Sequence, residues 1–182
     1  TLSYLDLTIY SLLINNEEDL FGMNKYTCDL IDIKGNLSTY GYFKLLNDIN
    51  CSKKWTRDNS IGLNSTKGKD NSFKGFIDGN KKTISNFTVS SSDGALIHSS
   101  GKTTRVFDLT MKGSSLDSYW GSDFVTAYSY GGHYSNLTIE VSLGKGDERF
   151  NNTGLLGTIG YKETPIDVIT LDDVSIINKG SK

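Results

Sequence analysis

The sequence predicts an all-β chain wound as a stacked solenoid, a parallel β-helix, and three observations carry that prediction. A four-residue phrase (Asn or Asp, apolar, Thr or Ser, apolar) stands five times in the chain, as Asp6-Leu7-Thr8-Ile9, Asn86-Phe87-Thr88-Val89, Asp108-Leu109-Thr110-Met111, Asn136-Leu137-Thr138-Ile139 and Asp173-Val174-Ser175-Ile176. Gly-led segments at Gly94, Gly121 and Gly154 precede three of these phrases. The composition, with 19 Gly, a single Pro and 10 Tyr plus 8 Phe, suits many short strands joined by tight turns better than it suits helices. A recurring alternating segment is a strand used repeatedly, and such units bury their apolar faces only by stacking. At 182 residues the chain is long enough for one continuous core, and it is read as a single module over 1–182.

The elements follow in order, with a lead-in rung and helix over 1–50, a polar loop over 51–72 and regular rungs over 73–182. Leu2 to Ile14 alternates apolar Leu5, Leu7 and Ile9 against Tyr4, Asp6, Thr8 and Tyr10, which is a strand pattern. Asn15-Asn16 followed by Glu17, Glu18 and Asp19 is a helix start, with an Asn cap and acids at the positive end of the dipole. The helix is expected over Glu17 to Asn24, with Leu20, Phe21 and Met23 placed to cap the first exposed rung. Gly41 to Ile49 reads as a strand entering a turn. Cys51 to Ser72 is mostly polar, with Trp55, Ile61 and Leu63 as its apolar residues, and is expected to be a long surface loop. Strands are then expected at Phe73–Asn80, Thr83–Val89, Gly94–Ile97, Asp123–Ala127 and Gly154–Ile159. Turns are expected at Ser100–Lys102, Gly131-Gly132 and near Lys162–Pro165.

The steps between phrases are 108 − 86 = 22, 136 − 108 = 28 and 173 − 136 = 37 residues. Rungs of roughly 20–30 residues with inserted loops account for this drift, and Ser114–Ser122 and Gly144–Thr153 are the expected insertions. Strand alternation turns the apolar members inward, so Phe87, Leu109, Leu137 and Val174 are expected in one interior column. The Asn and Asp heads suit the turn, where their side chains cap backbone groups.

Residues 73–89, Phe73-Lys74-Gly75-Phe76-Ile77-Asp78-Gly79-Asn80-Lys81-Lys82-Thr83-Ile84-Ser85-Asn86-Phe87-Thr88-Val89, resemble the phrase F-x-G-x-x-D-G-N-x-x-T-I-x-N-L-x-I. That phrase opens the right-handed β-helices of bacterial surface proteins with GLUG repeats. Gly154-Leu155-Leu156-Gly157 matches the Gly-Leu-x-Gly element, and Glu18-Asp19-Leu20 with Gly41 to Ile49 is similar to the lead-in before the first full rung. The resemblance spans about Asn16 to Ile177. It implies a right-handed coil in a secreted or cell-wall protein, of the kind found in adhesins and in the N-terminal regions of IgA-cleaving metallopeptidases. It supplies no active site.

The formal net charge of −2 gives no electrostatic case for nucleic acid, and no apolar run reaches the roughly 18–20 residues of a membrane span. The chain opens on Thr1 without a signal peptide, so an excised module with further domains in its parent is expected. Cys28 and Cys51 leave a disulfide and two free thiols both open, and there is no Cys-x-x-Cys. Six Asn-x-Ser/Thr triplets, at Asn36, Asn50, Asn64, Asn86, Asn136 and Asn151, have the form of glycosylation sites, most of them read as incidental to an Asn- and Thr-rich composition.

No cofactor or metal is expected. The His-Glu-x-x-His of a zinc peptidase is missing, since the two histidines are His98 and His133. A polysaccharide hydrolase needs two spaced carboxylates, with Asp78, Asp108, Asp123, Asp172 and Asp173 as candidates. Adjacent Asp172 and Asp173 point to opposite faces of a strand. Gly131-Gly132-His133 matches only part of the polygalacturonase Gly-His-Gly and has no Arg-x-Lys companion, and a lyase's Arg base has only Arg57, Arg105 and Arg149 to draw on.

The favoured binding residues are aromatic. Tyr119, Trp120, Phe124, Tyr128, Tyr130 and Tyr134 crowd one rung, and Trp55 sits in the polar loop; exposed rings of this kind stack on sugars or anchor a protein. The expectation is a non-catalytic spacer or adhesive face for a glycan or host surface protein. A pectin-type lyase or hydrolase and a peptidase accessory domain stand as alternatives.

Overall fold

The computed structural model describes residues 10–35, 37–62, 72–91, 94–115, 124–143, 155–159 and 167–181. In chain order the elements are β1 (Leu12–Ile14), α1 (Glu17–Phe21), β2 (Cys28–Ile31), β3 (Leu37–Tyr40), β4 (Tyr42–Leu45), β5 (Ile49–Asn50), β6 (Lys54–Trp55) and β7 (Phe76–Val89). They continue as β8 (Ile97–Ser100), β9 (Arg105–Ser115), β10 (Thr126–Ser129), β11 (Gly132–Leu143), β12 (Leu156–Ile159) and β13 (Ile169–Ser181). Short 3-10 turns occupy Met23–Tyr26 and Arg57–Asn59. Among the described residues no helix is long and apolar enough to cross a membrane.

The protein is mostly β, and its main sheet is parallel throughout, in the order β1-β4-β7-β9-β11-β13, with β5 and β6 also on β7. A second parallel sheet runs β8-β10-β12. From β7 onward the strands alternate between the two sheets, so each pass lies above the previous one: Ile97 pairs with Thr126 and Thr126 with Leu156, while Val106 pairs with Tyr134 and Tyr134 with Leu171. This is the arrangement of a parallel solenoid. β2 and β3 form an antiparallel hairpin, which the sequence reading did not anticipate, and Thr39 of β3 joins the second parallel sheet through parallel bridges to Phe73 and from Phe73 to Ser100 of β8.

β9, β11 and β13 each bend at one residue in the left-handed region. Asp108, Asn136 and Asp173, the heads of three phrases, have φ of 54°, 49° and 52°. Asn and Asp tolerate this conformation better than other residues with a Cβ. One strand thereby covers two sides of the coil. Across the bend the side chains stack, and Asn136 Nδ2 donates to Asp108 Oδ1 at 2.5 Å. Two of the heads, Asn136 and Asp108, therefore bond to each other as well as shaping the turn.

The predicted column holds in three of its four members, because Leu109 pairs with Leu137 and Leu137 with Val174. Phe87 is displaced: it pairs with Gly113, and Lys82, Thr83 and Ile84 lie opposite Leu109, Thr110 and Met111. The bend in β7 that matches Asp108 falls at Asn80 and Lys81, with φ of 52° and 58°. Gly79 is required beside it, since a Cβ there would come within 2.3 Å of Asp108 O. Asn86 makes a separate bend, with φ 53°, and its Nδ2 donates to Asn50 Oδ1 at 2.6 Å. Counted from Lys81, the first step is 108 − 81 = 27 residues, close to the following 28. The phrase at Asp6 lies outside the described residues, as do most of the two expected insertions and the Lys162–Pro165 turn.

The interior is filled by buried Phe43, Ile77, Val106 and Tyr134 in one column and Ile84, Met111 and Ile139 in another. Each burial contributes roughly 1.5–3 kcal/mol. The helix is shorter than expected, ending at Phe21 and passing into the 3-10 turn at Met23. Asn16 Oδ1 accepts from the Asp19 backbone N–H at 3.0 Å, as its cap position predicts. Leu20 and Met23 are buried in the common core. The Glu17 carboxylate accepts from the N–H groups of Ser52 and Lys53 and from the Ser52 hydroxyl.

The stretch 51–72 departs from the expected surface loop. Lys54 and Trp55 form β6 on Thr88 and Val89 of β7, Ile61 bridges to Ile97, and Cys51, Trp55, Ser60 and Ile61 are buried. Ser52, Lys53, Lys54, Arg57 and Asp58 are exposed on the outside of a rung whose apolar members close the core. Residues 63–71 lie outside the described set.

Candidate functional site

The aromatic residues singled out from the sequence do not form one exposed cluster. Trp55 is fully buried: its Nε1 donates to Ala95 O at 2.9 Å, and its ring packs against Phe21 at 5.0 Å and Phe87 at 5.2 Å between centroids. It is a plug of the core and cannot meet a ligand. Tyr134 is also fully buried, with its hydroxyl 3.0 Å from Thr126 Oγ1. Burial pushes its pKa up against the opposing hydrogen bonds of Ser100, Thr126 and Ser129. Phe124 is buried against Phe87. Tyr128 and Tyr130 are half-buried, and the Tyr128 ring lies 5.2 Å from that of His98. Tyr119 and Trp120 lie outside the described residues.

An outer aromatic stripe stands elsewhere, on the strand segments that precede the bends. There the inward residues Phe43, Ile77 and Val106 are buried, so alternation turns Tyr42 and Lys44, Phe76 and Asp78, and Arg105 and Phe107 outward. Tyr42 pairs with Phe76 along the stack, and their rings lie 4.8 Å apart, tilted by 30°. Phe107 continues the stripe at 6.0 Å from Phe76, and Tyr10 meets Phe76 edge-on at 5.8 Å. Tyr42 keeps 39% of its surface exposed, while Tyr10, Phe76 and Phe107 are half-buried.

Charge borders the rings. Lys44 Nζ lies 3.3 Å from Asp78 Oδ2 and 5.6 Å from the centroid of Tyr10. The hydrogen bond and charge of Asp78 raise the Lys44 pKa above its usual value. Asp78 is buried, and its Oδ1 accepts from the Asn80 N–H at 2.7 Å, which ties the stripe to the bend behind it. Exposed Arg105 and His133 follow Phe76 in the same outward column. Half-exposed rings edged by an ion pair and an arginine offer stacking surface and directional polar contacts together.

The candidate acids take structural positions. Asp78 is bound to Lys44 and Asn80, Asp108 accepts from Asn136, and Asp173 occupies the last bend beside exposed Asp172; Asp123 lies outside the described residues. His98 is buried with Nδ1 3.2 Å from Ser99 Oγ, and His133 is exposed. Cys28 and Cys51 are free thiols, the first exposed and the second buried, which resolves the choice that the sequence left open. Among the described residues no group of three or more His, Cys, Asp or Glu side chains is placed to hold a metal ion.

The stripe escaped sequence reasoning because its members are spread over separate rungs. The signal available was the alternation Tyr42-Phe43-Lys44, Phe76-Ile77-Asp78 and Arg105-Val106-Phe107, in which a large residue stands outside each buried one. Compared with family models, with curated proteins and with solved structures, the chain finds no match in any of the three.

Proposed function

We propose that the chain is a non-catalytic module of a secreted or cell-surface bacterial protein, a right-handed β-helix of the GLUG-repeat kind that serves as spacer and adhesive face. In this reading α1 caps the N-terminal end of the coil, and the outer stripe is the face that meets a glycan or a host surface protein. The observation that carries it is the run of Tyr42, Phe76 and Phe107 along the outside of the stack, where Tyr42 is exposed and the half-buried rings of Phe76 and Phe107 stand outside the core columns. The likeness of residues 73–89 to the GLUG-repeat lead-in supports the class and the location. The engagement of Asp78 and Asp108 in ion pairing and bend stacking favours a binding module over a hydrolase.

The test is binding of the purified chain to a glycan array and to a panel of host surface proteins. Tyr42→Ala is expected to weaken the interaction at least tenfold while leaving the thermal midpoint within 2 °C or so, since truncating one exposed ring costs little stability. Release of reducing ends or unsaturated sugars from a polysaccharide panel, abolished by Asp173→Ala, would refute the non-catalytic reading.

A further inference from the structure

One outward column crosses the rungs ahead of the bends. Tyr42 pairs with Phe76, Phe76 with Arg105, Arg105 with His133 and His133 with Thr170. Successive members stand one strand spacing apart, about 4.8 Å. The column is sorted, with two rings first and two nitrogen donors after them. Arg105 and His133 are exposed, and among the described residues Arg105 makes no ion pair.

The neighbouring outward column runs Lys44, Asp78, Phe107, Ser135, Asp172. Beside the rings, Lys44 is bound to Asp78 at 3.3 Å, so the two charges there offset each other. Beside Arg105 and His133 stand Phe107 and Ser135, which carry no charge. One rung further on stands exposed Asp172. Uncompensated positive charge therefore has a single window on this face, at Arg105, with a carboxylate of the chain on either side of it.

We infer that the stripe takes a short neutral glycan ending in one carboxylated sugar, laid along the stack with its acidic unit at Arg105 and His133. This rests on the adhesive reading of the stripe and names its ligand. A glycan chain advances by about one strand spacing per sugar, so its units keep step with the rungs. Tyr42 and Phe76 offer apolar contact to the C–H groups of neutral sugars, and the Tyr42 hydroxyl can bond to theirs. The next unit then meets Arg105, whose guanidinium gives a carboxylate two parallel N–H bonds, and the His133 imidazole adds a further donor. A polyuronate fits less well, because its other carboxylates would fall beside Asp78 or Asp172. A standard protein interface covers about 800 Å² per partner, whereas the charge window is one column wide and suits a slender polar chain.

The test titrates the whole chain with sialyllactose, lactose and trigalacturonate, followed by ligand-observed NMR. Sialyllactose should bind at least tenfold more tightly than lactose, with the gap shrinking in high salt. Amidation of its carboxyl group keeps the sugar, removes the charge and should close the gap. Arg105→Gln should close it as well, and the position is exposed, so the variant should fold. Lys112→Gln removes the same charge beyond the bend, where Lys112 binds Glu140 at 3.2 Å, and should leave the gap intact. Trigalacturonate should bind more weakly than sialyllactose. The inference is overturned if sialyllactose and lactose bind within twofold of each other, if Lys112→Gln matches Arg105→Gln, or if trigalacturonate binds more tightly. In each of those cases, binding lost on Tyr42→Ala still supports the adhesive stripe. Capture of a host protein through Tyr42 with no glycan binding likewise overturns the inference alone. No binding to any glycan or host protein overturns both.

Discussion

Asn136 provides a test of the bend, because the expected result reverses an ordinary order of residues. In extended backbone Gly is less stable than Ala by about 0.5–1 kcal/mol, since Gly loses more freedom on folding. At φ 49° Ala instead meets the left-handed penalty, about 1–2 kcal/mol, which Gly escapes. Asn136→Ala and Asn136→Gly both lose the 2.5 Å hydrogen bond to Asp108, a common loss of about 0.5–1.5 kcal/mol. The hydrogen bond therefore cancels from their difference. What remains favours Gly by about 1 kcal/mol, which for a chain of this size is about 2–4 °C in thermal midpoint. Thr138, two residues on in β11 and extended, is the control, where Ala should exceed Gly by about 0.5–1 kcal/mol. Urea denaturation of the four variants, compared at constant m-value, measures both differences. If Asn136→Ala is as stable as Asn136→Gly, the bend does not rest on left-handed backbone and the account of the stacked heads fails.

Three further outcomes follow from packing and titration. Gly113→Ala should destabilise the chain by several kcal/mol or prevent folding, because the added Cβ would lie 1.8 Å from Phe87 O, backbone that has no rotamer to yield; circular dichroism melting checks it. In the native chain one thiol should react quickly with a disulfide reagent at pH 8 and a second only after denaturation. Cys28 is exposed, whereas burial, aided by the nearby charge of Glu17, pushes the buried Cys51 thiol up to about 12. Glu17 is raised by burial, but the N–H groups of Lys53 and Ser52 and the Ser52 hydroxyl outweigh this and hold its pKa below the usual glutamate value. Its folded pKa is thus lower than its unfolded one, so its contribution is full above the unfolded value of about 4.3 and fades as pH falls through the folded value. Glu17→Gln should flatten the acid limb of a stability–pH curve below about pH 4.3 and change its slope little near neutrality.

The architecture was legible because it rests on local alternation. Leu109, Leu137 and Val174 fell into one column since each follows a residue able to bend the chain. Asn86-Phe87-Thr88-Val89 reads the same but lies at a different corner, and four letters cannot distinguish two corners of one rung. That choice is made by the extra residues at Asn80 and Lys81 and by the close approach of Gly79 to Asp108. Trp55 was misplaced for a related reason. Its neighbours are polar, and its burial comes from pairing with Val89, which is 89 − 55 = 34 residues downstream. The outer stripe was invisible for want of a register, because Tyr42, Phe76 and Phe107 become neighbours only once the rungs are stacked.

The parallel pairing of rung on rung also fixes how the molecule responds to mechanical load. The bonds between strands point along the stacking direction, so a pull on the two ends loads them one rung at a time instead of all together in shear. A rung of 136 − 108 = 28 residues, once released, extends to roughly 90–100 Å at about 3.3–3.6 Å per residue. Folded, it occupied about 4.8 Å of the stack. Release of that rung therefore lengthens the chain by close to twenty times the height it gives up, and a coil of this kind lets out slack in discrete increments set by the length of each rung.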